Sequence, residues 1–567
     1  MTAEPVHAAD AVVAYRTRAK LVVAPGPRVG LFARGGEHAV LDLPGCRVLA
    51  PVLAGAAAAL RGLLAEPEAG DALRAEGDGT GRLRAVDLRE VRDADGSGVL
   101  VTLVLRSPAP SDAALAAAAE RLAKALPTLR GVAVSLHDGR SPQVLGSVPR
   151  VIHGPPLHRD ALGPGAPFTL VSHGSFVQAH RAQAAAIQDE VMRALGDPRG
   201  RRVLEVYAGS GALGLVLGAA GARVVMIESF APAAQAAARA AREQGLVNVE
   251  VCAGAAEAWL PELRSRPARF DAGIANPPRR GIPPRARETL AELCTDAIVY
   301  VSCEPETLAR DLAHLRQLGW LATRLAPFDL MPLTAEVESV ALLRRAAPPP
   351  PTILYEDDVL LAVDKPPFLP TVPHPESASS LLARVRGIRA AEHAVALHRL
   401  DAGTSGVCLF ARRAEDAGAL QHALGARRYV ALVRGVARAR GRIGRSLHEG
   451  GRSHPAATRY RRLTVAGGHA LLEVFPESGR TQPIRRHLAA IGEPVLGDER
   501  YGHAPSNRHL FERHFLDRPF LHCTSLELRH PAAGSLLRVE APLAPDLAAV
   551  LARLGVDPTQ IGVARTP

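Results

Sequence analysis

Three short stretches of this sequence contain residue types that can make or break covalent bonds. Ser302–Pro305 (SCEP) offers a cysteine, which can attack carbon as a thiolate. Thr334–Glu338 (TAEVE) ends on a carboxylate, which can remove a proton. His398–Gly406 (HRLDAGTSG) places Asp401 among residues that favour turns. The cysteine and Asp401 lie far apart in the chain, so we expect two separate sites.

A cofactor-binding turn is predicted within the string RRVLEVYAGSGALG. Val203–Val206 predicts a buried strand, and Gly209-Ser210-Gly211 leads into a predicted helix, whose amino end favours polar or anionic groups. A second predicted strand, Val224–Ile227, is closed by Glu228, and an acid at that position suits the hydroxyls of a ribose. Together these features predict a Rossmann-like α/β domain that binds a nucleotide cofactor.

From about Tyr15 to Arg345 the sequence resembles the class I S-adenosylmethionine-dependent RNA methyltransferases of the 5-methyluridine (TrmA/RlmD-like) group. Ser302–Pro305, Thr334–Glu338 and Ile274–Arg279 (IANPPR) carry the resemblance. It implies methylation of carbon 5 of uridine, with Cys303 as nucleophile and Glu338 as base. The cofactor-binding residues that we expect are Gln178, Glu205, Tyr207, Gly209, Gly211, Glu228 and Asn276.

The chemistry of uracil explains these residue types. Carbon 5 is too weak a nucleophile to take a methyl group unaided. A thiolate that adds at carbon 6 turns the ring into an enolate, and carbon 5 then attacks the sulfonium methyl. A base must next remove the carbon 5 proton so that the thiol can leave. We expect Cys303 to be partly thiolate near neutral pH.

The HRLDAGTSG string resembles the signature of the RluA-type pseudouridine synthases, and this resemblance covers almost all of Thr352–Gly555. It implies an α+β domain with a mixed antiparallel sheet that works without a cofactor. It also implies that Asp401 is catalytic, that the Tyr429 ring lies against the target base, and that Arg485 pairs with Asp401. The family often has His-Gln before Ile-Arg, and here Pro483 removes a backbone donor just before Arg485.

RNA is the expected partner, and the resemblance favours ribosomal over transfer RNA. Arg399 is expected to hold the RNA while the uridine is flipped out, and Arg428 and Arg480 are expected to bind it as well. The chain has a net charge of +11. About +8 of this charge lies from Thr352 onward, where 29 basic residues face 21 acidic ones. A basic surplus suits a polyanion.

Two departures from the family pattern leave other hypotheses open. Asn276 stands where the family commonly has aspartate, and Ala255 where it often has an acid near the adenine. These losses allow an RNA-binding pseudouridine synthase whose methyltransferase domain is catalytically silent. The Asn-Pro-Pro turn also allows a methyltransferase for another substrate, although Cys303 and Glu338 argue against it.

Chain length and composition predict several domains of a cytoplasmic enzyme. At 567 residues the chain exceeds one core, and four prolines at Pro348–Pro351 predict a linker. We therefore expect an amino-terminal α+β subdomain (1–165), the methyltransferase domain (166–345), a linker (346–351) and the synthase domain (352–567). The six cysteines are scattered, so neither a metal site nor an iron–sulfur cluster is expected. We expect no membrane span and no signal peptide.

Overall fold

The computed structural model describes residues 2–33, 39–66, 70–140, 143–163, 165–267, 269–374, 379–388, 391–449 and 451–561. The chain divides into two compact units. The first comprises Met1–Arg279, Glu288–Pro305 and Leu321–Arg345, and the second comprises Arg280–Arg287, Glu306–Trp320 and Ala346–Pro567.

The amino-terminal part of the first unit is an α+β structure, as the sequence predicts. Its elements are β1 (Thr2–Ala3), β2 (Arg18–Ala24), β3 (Arg28–Phe32), β4 (Val40–Asp42), α1 (Pro51–Ala65), β5 (Leu83–Asp93), β6 (Gly96–Arg106), α2 (Asp112–Ala125), β7 (Leu129–His137), β8 (Arg150–His153), β9 (His158–Ala161) and β10 (Phe168–Val171). One sheet has the order β4-β3-β2-β5-β6-β7-β8, and β6 and β7 are its parallel pair among the described strands. The apolar faces of α1 and α2 pack against this sheet in one core.

The rest of the first unit has the predicted Rossmann-like α/β organisation. Its elements, of which parts of α7 and α8 belong to the second unit, are α3 (Arg181–Leu195), β11 (Arg202–Val206), α4 (Gly214–Ala219), β12 (Arg223–Glu228), α5 (Ala231–Glu243), β13 (Val249–Ala253), α6 (Ala256–Ser265), β14 (Phe270–Ala275), α7 (Pro284–Leu293), β15 (Cys294–Ser302), α8 (Pro305–Gln317), β16 (Trp320–Phe328) and β17 (Glu338–Arg345). Buried β-branched and aliphatic residues form the central strands.

The sheet order explains where a ligand can bind in this part. Among the described strands the order is β1-β16-β17-β15-β14-β11-β12-β13. β11 pairs in parallel with β12 on one side and with β14 on the other, so the strand order reverses beside β11. Ligands of open α/β sheets bind at such a reversal, beyond the carboxyl ends of the strands. The predicted turn, Asn276 and Cys303 all follow strands at this edge.

The second unit contains the predicted mixed sheet of the carboxyl-terminal region. Its remaining elements are β18 (Thr352–Glu356), β19 (Leu360–Lys365), α9 (Leu381–Arg386), β20 (Val395–Ala396), β21 (Ser405–Ala411), α10 (Ala414–His422), β22 (Leu424–Val433), β23 (Arg440–Ile443), β24 (Leu447–Glu449), β25 (Arg452–His454), β26 (Thr458–Ala466), β27 (His469–Pro476), α11 (Pro483–Ala490), α12 (Ala504–His514), β28 (Leu521–Arg529), β29 (Leu536–Glu540), α13 (Pro545–Arg553) and a 3₁₀ turn (Pro558–Ile561). The main order is β18-β19-β21-β28-β22-β27-β26-β23.

Most neighbours in this sheet are antiparallel, and β21 and β28 are parallel. A large apolar core fills one side of the sheet, and a smaller one lies under α12 and α13. The loop that contains Asp401 leads directly into β21, so the sheet fixes the carboxyl-terminal end of this loop. Across the described ranges of the chain, no helix has the length and apolar character needed to cross a membrane.

Candidate active sites

An antiparallel strand pair brings Cys303 and Glu338 together. Ser302, the last residue of β15, pairs with Ser339 in β17. Cys303 follows Ser302 and Glu338 precedes Ser339, so the register places these two residues beside each other at the same end of the pair. The turn after β15 is closed by the Ser302 hydroxyl, which accepts a hydrogen bond from the Glu304 amide at 3.2 Å. Residues 35 positions apart in sequence thus become neighbours.

Gln178 and Arg279 complete the surroundings of Glu338. The Gln178 side chain lies close enough to the Glu338 carboxyl group to act on it as a hydrogen-bond partner, and the Arg279 guanidinium lies close enough to act on its charge. Glu338 is only 4% exposed. Burial raises the pKa of Glu338 to about 7, against the opposite effects of Gln178 and Arg279. A carboxylate whose pKa lies near neutrality can both take up and release a proton at physiological pH.

The expected thiolate character of Cys303 is not found in the free protein. Burial, and then the negative charge of Glu338, raise the pKa of the Cys303 thiol to about 11, although Arg279 lowers it. The sequence argument failed here because the pKa of an ordinary cysteine assumes contact with water. Cys303 must therefore lose its proton as it attacks, or when a bound ligand changes its surroundings.

The predicted cofactor turn is held by Glu228. Its carboxylate accepts hydrogen bonds from the amides of Gly209, at 2.8 Å, and of Phe230, at 2.6 Å. Tyr207, Gly209 and Gly211 all have positive φ, between 58° and 82°, so the chain turns sharply after β11. A positive φ at a tyrosine is strained and is often found at functional sites. Helix α4 begins at Gly214, slightly later than predicted.

Glu205 is buried beneath this turn. Burial raises the pKa of Glu205 to about 8, with a further contribution from Glu228. The glycine at position 214 leaves room for the Glu205 carboxyl group, because a Cβ at this position would lie only 2.4 Å from Glu205 Oε2. Within the described residues, Glu205 Oε2 and Ser210 Oγ are buried without hydrogen-bond partners. Buried polar atoms without partners fit a site that a polar, positively charged ligand completes.

Asn276 lies at the end of β14, where the sequence places it. Its amide reaches the Val206 carbonyl at 3.4 Å, so it sits beside the end of β11. Ala255, the other departure, is the residue before helix α6 and provides no side-chain cap. The structure thus brings Glu205, Glu228 and Asn276 to the same edge of the sheet as Cys303.

In the second unit, Arg485 links Asp401 to a further acid, Asp498. Arg485 Nη1 donates to Asp401 at 2.7 Å, while its Nε and Nη2 donate to the two carboxylate oxygens of Asp498, each at 2.7 Å. The Asp498 side chain is fully buried, whereas that of Asp401 is 31% exposed. Asp498 therefore occupies two of the arginine's donors, and Asp401 accepts a single bond and remains accessible.

Three buried side chains hold the loop around Asp401. Thr371 donates to the Leu400 carbonyl at 2.8 Å and accepts from its amide at 3.0 Å. Lys365 donates to the Ala402 carbonyl at 3.0 Å, and Arg518 to the Gly403 carbonyl at 2.9 Å. Burial lowers the pKa of Lys365 to about 7. The backbone on both sides of Asp401 is thereby fixed before any substrate binds.

The other predicted site residues of this region differ in how exposed their side chains are. Tyr429 is 7% exposed and lies in the core, with its hydroxyl near the Cys523 thiol. Arg428 pairs with Glu473 at 3.2 Å. Arg399 and Arg480 are exposed, as an RNA-binding role requires. The position of Tyr429 in the core does not by itself bring its ring to Asp401, so its role stays a prediction.

Sequence reasoning missed Asp498, Lys365 and Arg518 as members of this site. The pairing of Asp498 with Arg485 follows only from the fold, because the two residues lie 13 positions apart in sequence. Lys365 did carry a signal, since a lysine that ends an apolar strand is unusual in a chain with three lysines. Arg518 carried none, because nothing in the sequence distinguishes it from the other arginines.

Together these features define two kinds of site in one chain: an open α/β cofactor site with a cysteine and a glutamate, and a carboxylate–arginine site. Residues 168–346 match the family model described as tRNA (uracil-5-)-methyltransferase, and residues 359–490 match the one described as RNA pseudouridylate synthase. An uncharacterized RNA methyltransferase of Gloeobacter violaceus is 31% identical over 349 residues, which are 60% of this chain and 73% of that protein. The chain belongs to the TrmA-type uracil-C5 RNA methyltransferases and carries an RluA-like pseudouridine synthase domain as well.

Other relatives match less of their length. An uncharacterized RNA methyltransferase of Thermosynechococcus vestitus is 33% identical over 245 residues, which are 43% of this chain and 53% of that protein. The chain spans about half the length of several of these curated relatives. The tRNA (uracil-54, C5)-methyltransferase of Pyrococcus abyssi, solved with S-adenosyl-L-homocysteine, is 24% identical with a TM-score of 0.48, over 60% of this chain and 78% of that one.

Proposed function

We propose that the chain is a bifunctional RNA-modifying enzyme that methylates carbon 5 of uridine and isomerises uridine to pseudouridine. The observation that carries the proposal is that each site assembles its reactive groups from distant parts of the chain. Strand pairing places Cys303 beside Glu338, and Arg485 donates a hydrogen bond to Asp401. We further propose that the enzyme is cytoplasmic and that its substrate is ribosomal RNA, on the resemblance alone.

In the methyltransferase site, S-adenosylmethionine would supply the methyl group from its sulfonium. The residues that would hold it are Glu205, Tyr207, Gly209, Gly211, Glu228 and Asn276, with Gln178 beside them. The unpartnered buried oxygens of Glu205 and Ser210 support this fit. Cys303 Sγ loses its proton to solvent water and forms a bond to carbon 6 of uracil, and the electron pair of the carbon 5–carbon 6 double bond moves into the enolate. Glu338 removes the carbon 5 proton after methylation, and the Cys303–carbon 6 bond then breaks.

In the synthase site, Asp401 acts on a uridine that has left the base stack. The bond between nitrogen 1 and the sugar breaks, the detached uracil turns, and carbon 5 bonds to the same sugar carbon while it loses its proton. Arg485 holds one oxygen of Asp401 and leaves the other accessible. Exposed Arg399 and Arg480 would contact phosphates of the flipped-out strand.

A second candidate function is a pseudouridine synthase with a silent methyltransferase domain. The observation that favours it is the pKa of Cys303, which burial raises to about 11, together with Asn276 in place of an aspartate. A thiol that stays protonated is a poor nucleophile.

Two labels separate the activities in one experiment. The full chain is incubated with ribosomal or transfer RNA labelled with tritium at carbon 5 of uridine, with and without methyl-labelled S-adenosylmethionine. Without the methyl donor and in the Cys303→Ala background, where the cysteine cannot exchange the carbon 5 hydrogen, tritium release reports the synthase alone, and we expect Asp401→Asn to abolish it. With the donor, we expect methyl label to enter the RNA, and Cys303→Ala to abolish this transfer.

Each variant serves as the control for the other. Cys303→Ala should keep donor-independent tritium release, and Asp401→Asn should keep methyl transfer. Tritium release without any methyl transfer, identical in wild type and Cys303→Ala, would establish the silent domain instead. If methyl label entered the RNA in the presence of the donor but no tritium was released in its absence, the synthase assignment would be contradicted.

A further inference from the structure

Gln178, which contacts Glu338, lies in a strap between β10 and helix α3. We define this strap as residues Gly174 to His180. Its first half is held at Ser175, whose carbonyl accepts from Arg18 Nη1 at 2.7 Å and from Arg89 Nη1 at 3.0 Å. Arg89 Nη1 also reaches the Ser175 hydroxyl at 2.7 Å. Arg18 and Arg89 belong to β2 and β5 of the amino-terminal sheet.

The second half of the strap is held by the two residues that precede β2, Arg16 and Thr17. The carbonyl of Ala179 accepts from the Thr17 amide at 2.8 Å and from the Thr17 hydroxyl at 3.1 Å. His180 forms a backbone bridge with Arg16. Gln178 therefore lies between two anchored points, one at Ser175 and one at Ala179, close enough to Glu338 to act on its pKa.

Both arginines are fixed by acids, and Arg89 is buried whereas the Arg18 side chain is 12% exposed. Arg18 donates to both oxygens of Asp87, at 3.0 and 2.7 Å. Arg89 is 4% exposed and lies 3.6 Å from Asp160, which also pairs with Arg181 at 2.9 Å. Burial lowers the pKa of Arg89 to about 10. Buried ion networks add little stability, because removing the charges from water offsets their attraction. Stability alone therefore explains this network poorly.

We propose that Arg18 and Arg89 are positioning residues for methyl transfer, which fix Ser175 and thereby hold the Gln178 amide against Glu338. The inference rests on the proposed methyltransferase function. It gives the amino-terminal sheet a role in the reaction, because the sheet carries both arginines. Arg18 and Arg89 are not catalytic residues, since neither touches Glu338 or Cys303; they act through the strap.

The expected consequence is a change in how Glu338 titrates. The groups that face Glu338 are Gln178 from the strap, Arg279 after β14 and Cys303 after β15, with Glu304 beside Cys303. The Gln178 side chain lowers the pKa of Glu338 and works against burial. When the strap is released Gln178 no longer faces Glu338, and Glu338 should stay protonated to a higher pH.

The test compares Arg89→Met with Arg92→Met in the full chain. Both residues lie in β5, but Arg92 is exposed and its side chain pairs with Glu90 instead of the strap. We expect Arg89→Met to lower kcat for methyl transfer at pH 7 about tenfold with little change in KM, and to move the midpoint of the pH profile upward. Arg92→Met should leave both unchanged, and Arg89→Lys should restore part of the rate.

Two further measurements show whether Arg89 acts through Gln178. Gln178→Ala should shift the midpoint as Arg89→Met does, and the double variant should lose no more than either single variant. Ser175→Ala removes the bond from Arg89 to the Ser175 hydroxyl and keeps the bonds to the Ser175 carbonyl, so it should give a smaller shift in the same direction if Arg89→Met does not fold. Donor-independent pseudouridine formation should stay at the wild-type rate throughout. Additive losses, or an unmoved midpoint in every folded variant, would overturn the proposal.

One readout does not depend on methyl transfer. Alkylation of Cys303 by iodoacetamide, followed on its own peptide by mass spectrometry, should change with pH as Glu338 ionises nearby. We expect that inflection to move upward in Arg89→Met and to stay in place in Arg92→Met. If wild type transferred no methyl group, the proposed function would fail, while this titration would still decide whether Arg89 positions the strap. An unshifted inflection would overturn the inference.

Discussion

Asp401 and Asp498 of the synthase site share Arg485, whereas Glu205 and Glu338 of the methyltransferase site are buried and have raised pKa values. In the synthase site the protein itself balances the charge of the two carboxylates, through Arg485. We propose that the methyltransferase site, by contrast, binds a ligand that carries positive charge. Acids that stay partly protonated in the free protein suit such a site, because the ligand can complete their pairing.

The two sites also differ in how they fix the backbone. Donors from Thr371, Lys365 and Arg518 hold the loop around Asp401 residue by residue. The turn after β11 instead relies on residues with positive φ and on the carboxylate of Glu228. We infer that the synthase site is complete in the free protein, and that the methyltransferase site is completed by ligand binding.

The largest effect is expected from Arg485→Met. It leaves Asp498 buried and unpaired, which should lower the free energy of unfolding by about 3–5 kcal/mol. Pseudouridine formation should fall on the order of 10²–10³-fold, since a preorganised charge is lost at the reacting group. Urea denaturation and donor-free tritium release measure the two effects.

The double variant Arg485→Met/Asp498→Asn separates stability from activity. It removes both buried charges, so we expect it to regain stability but not pseudouridine formation. The exposed Arg508→Met is the control for removing an arginine and should behave as wild type. Normal pseudouridine formation by Arg485→Met would contradict the assignment of this ion pair to the reaction.

Glu205→Gln should stabilise the free protein at alkaline pH. The unfolded chain releases this proton near pH 4.5, whereas the folded chain keeps it to about pH 8. The unfolded state thus binds fewer protons between these values, and this group makes stability fall as pH rises through them. Near pH 9 we expect the variant to exceed wild type by about 2–4 kcal/mol, and at pH 4 by almost nothing.

Urea denaturation at the two pH values measures this difference. Equilibrium dialysis with S-adenosylmethionine should show weaker binding by Glu205→Gln, because the variant lacks an acid to meet the ligand's positive charge. Equal stability of variant and wild type at pH 9 would mean that Glu205 is already balanced, and the contrast between the two sites would disappear.

Methyl transfer should rise about tenfold between pH 6 and pH 8. With a pKa of about 7, the ionised fraction of Glu338 increases about tenfold over this range. The rate should continue to rise above pH 8, since the Cys303 thiol ionises only near pH 11. Glu338→Gln should abolish transfer at every pH, whereas Glu262→Gln, an exposed acid on α6, should keep the wild-type profile. A plateau below pH 7 would be inconsistent with a buried Glu338 as the base.

The sequence predicted the strand-turn-helix of the cofactor site, the linkage of Arg485 to Asp401, the α/β class of the methyltransferase domain and the α+β class of the regions on either side of it. These features depend on local patterns or on long motifs. It did not predict the raised pKa of Cys303, because burial and the neighbouring Glu338 arise from strand pairing. Nor did it predict the role of Asp498, since only the fold decides which acid an arginine meets.

The smallest effect is expected from Pro483→Ala. The sequence raised the concern that Pro483 removes a backbone donor just before Arg485, yet Pro483 is the first residue of helix α11. The amide of a first helical residue has no partner within the helix, so proline is well tolerated there. We expect the free energy of unfolding to fall by less than about 1 kcal/mol, through the greater freedom of the unfolded chain. Pseudouridine formation should match wild type, measured as donor-free tritium release.

Gln482, which precedes Pro483 with φ 51° and accepts from the Tyr501 hydroxyl at 2.9 Å, should keep the helix start in place. A large loss of activity in Pro483→Ala would mean that proline itself aims Arg485, and that the synthase site is less firmly held by Asp498 than its geometry indicates.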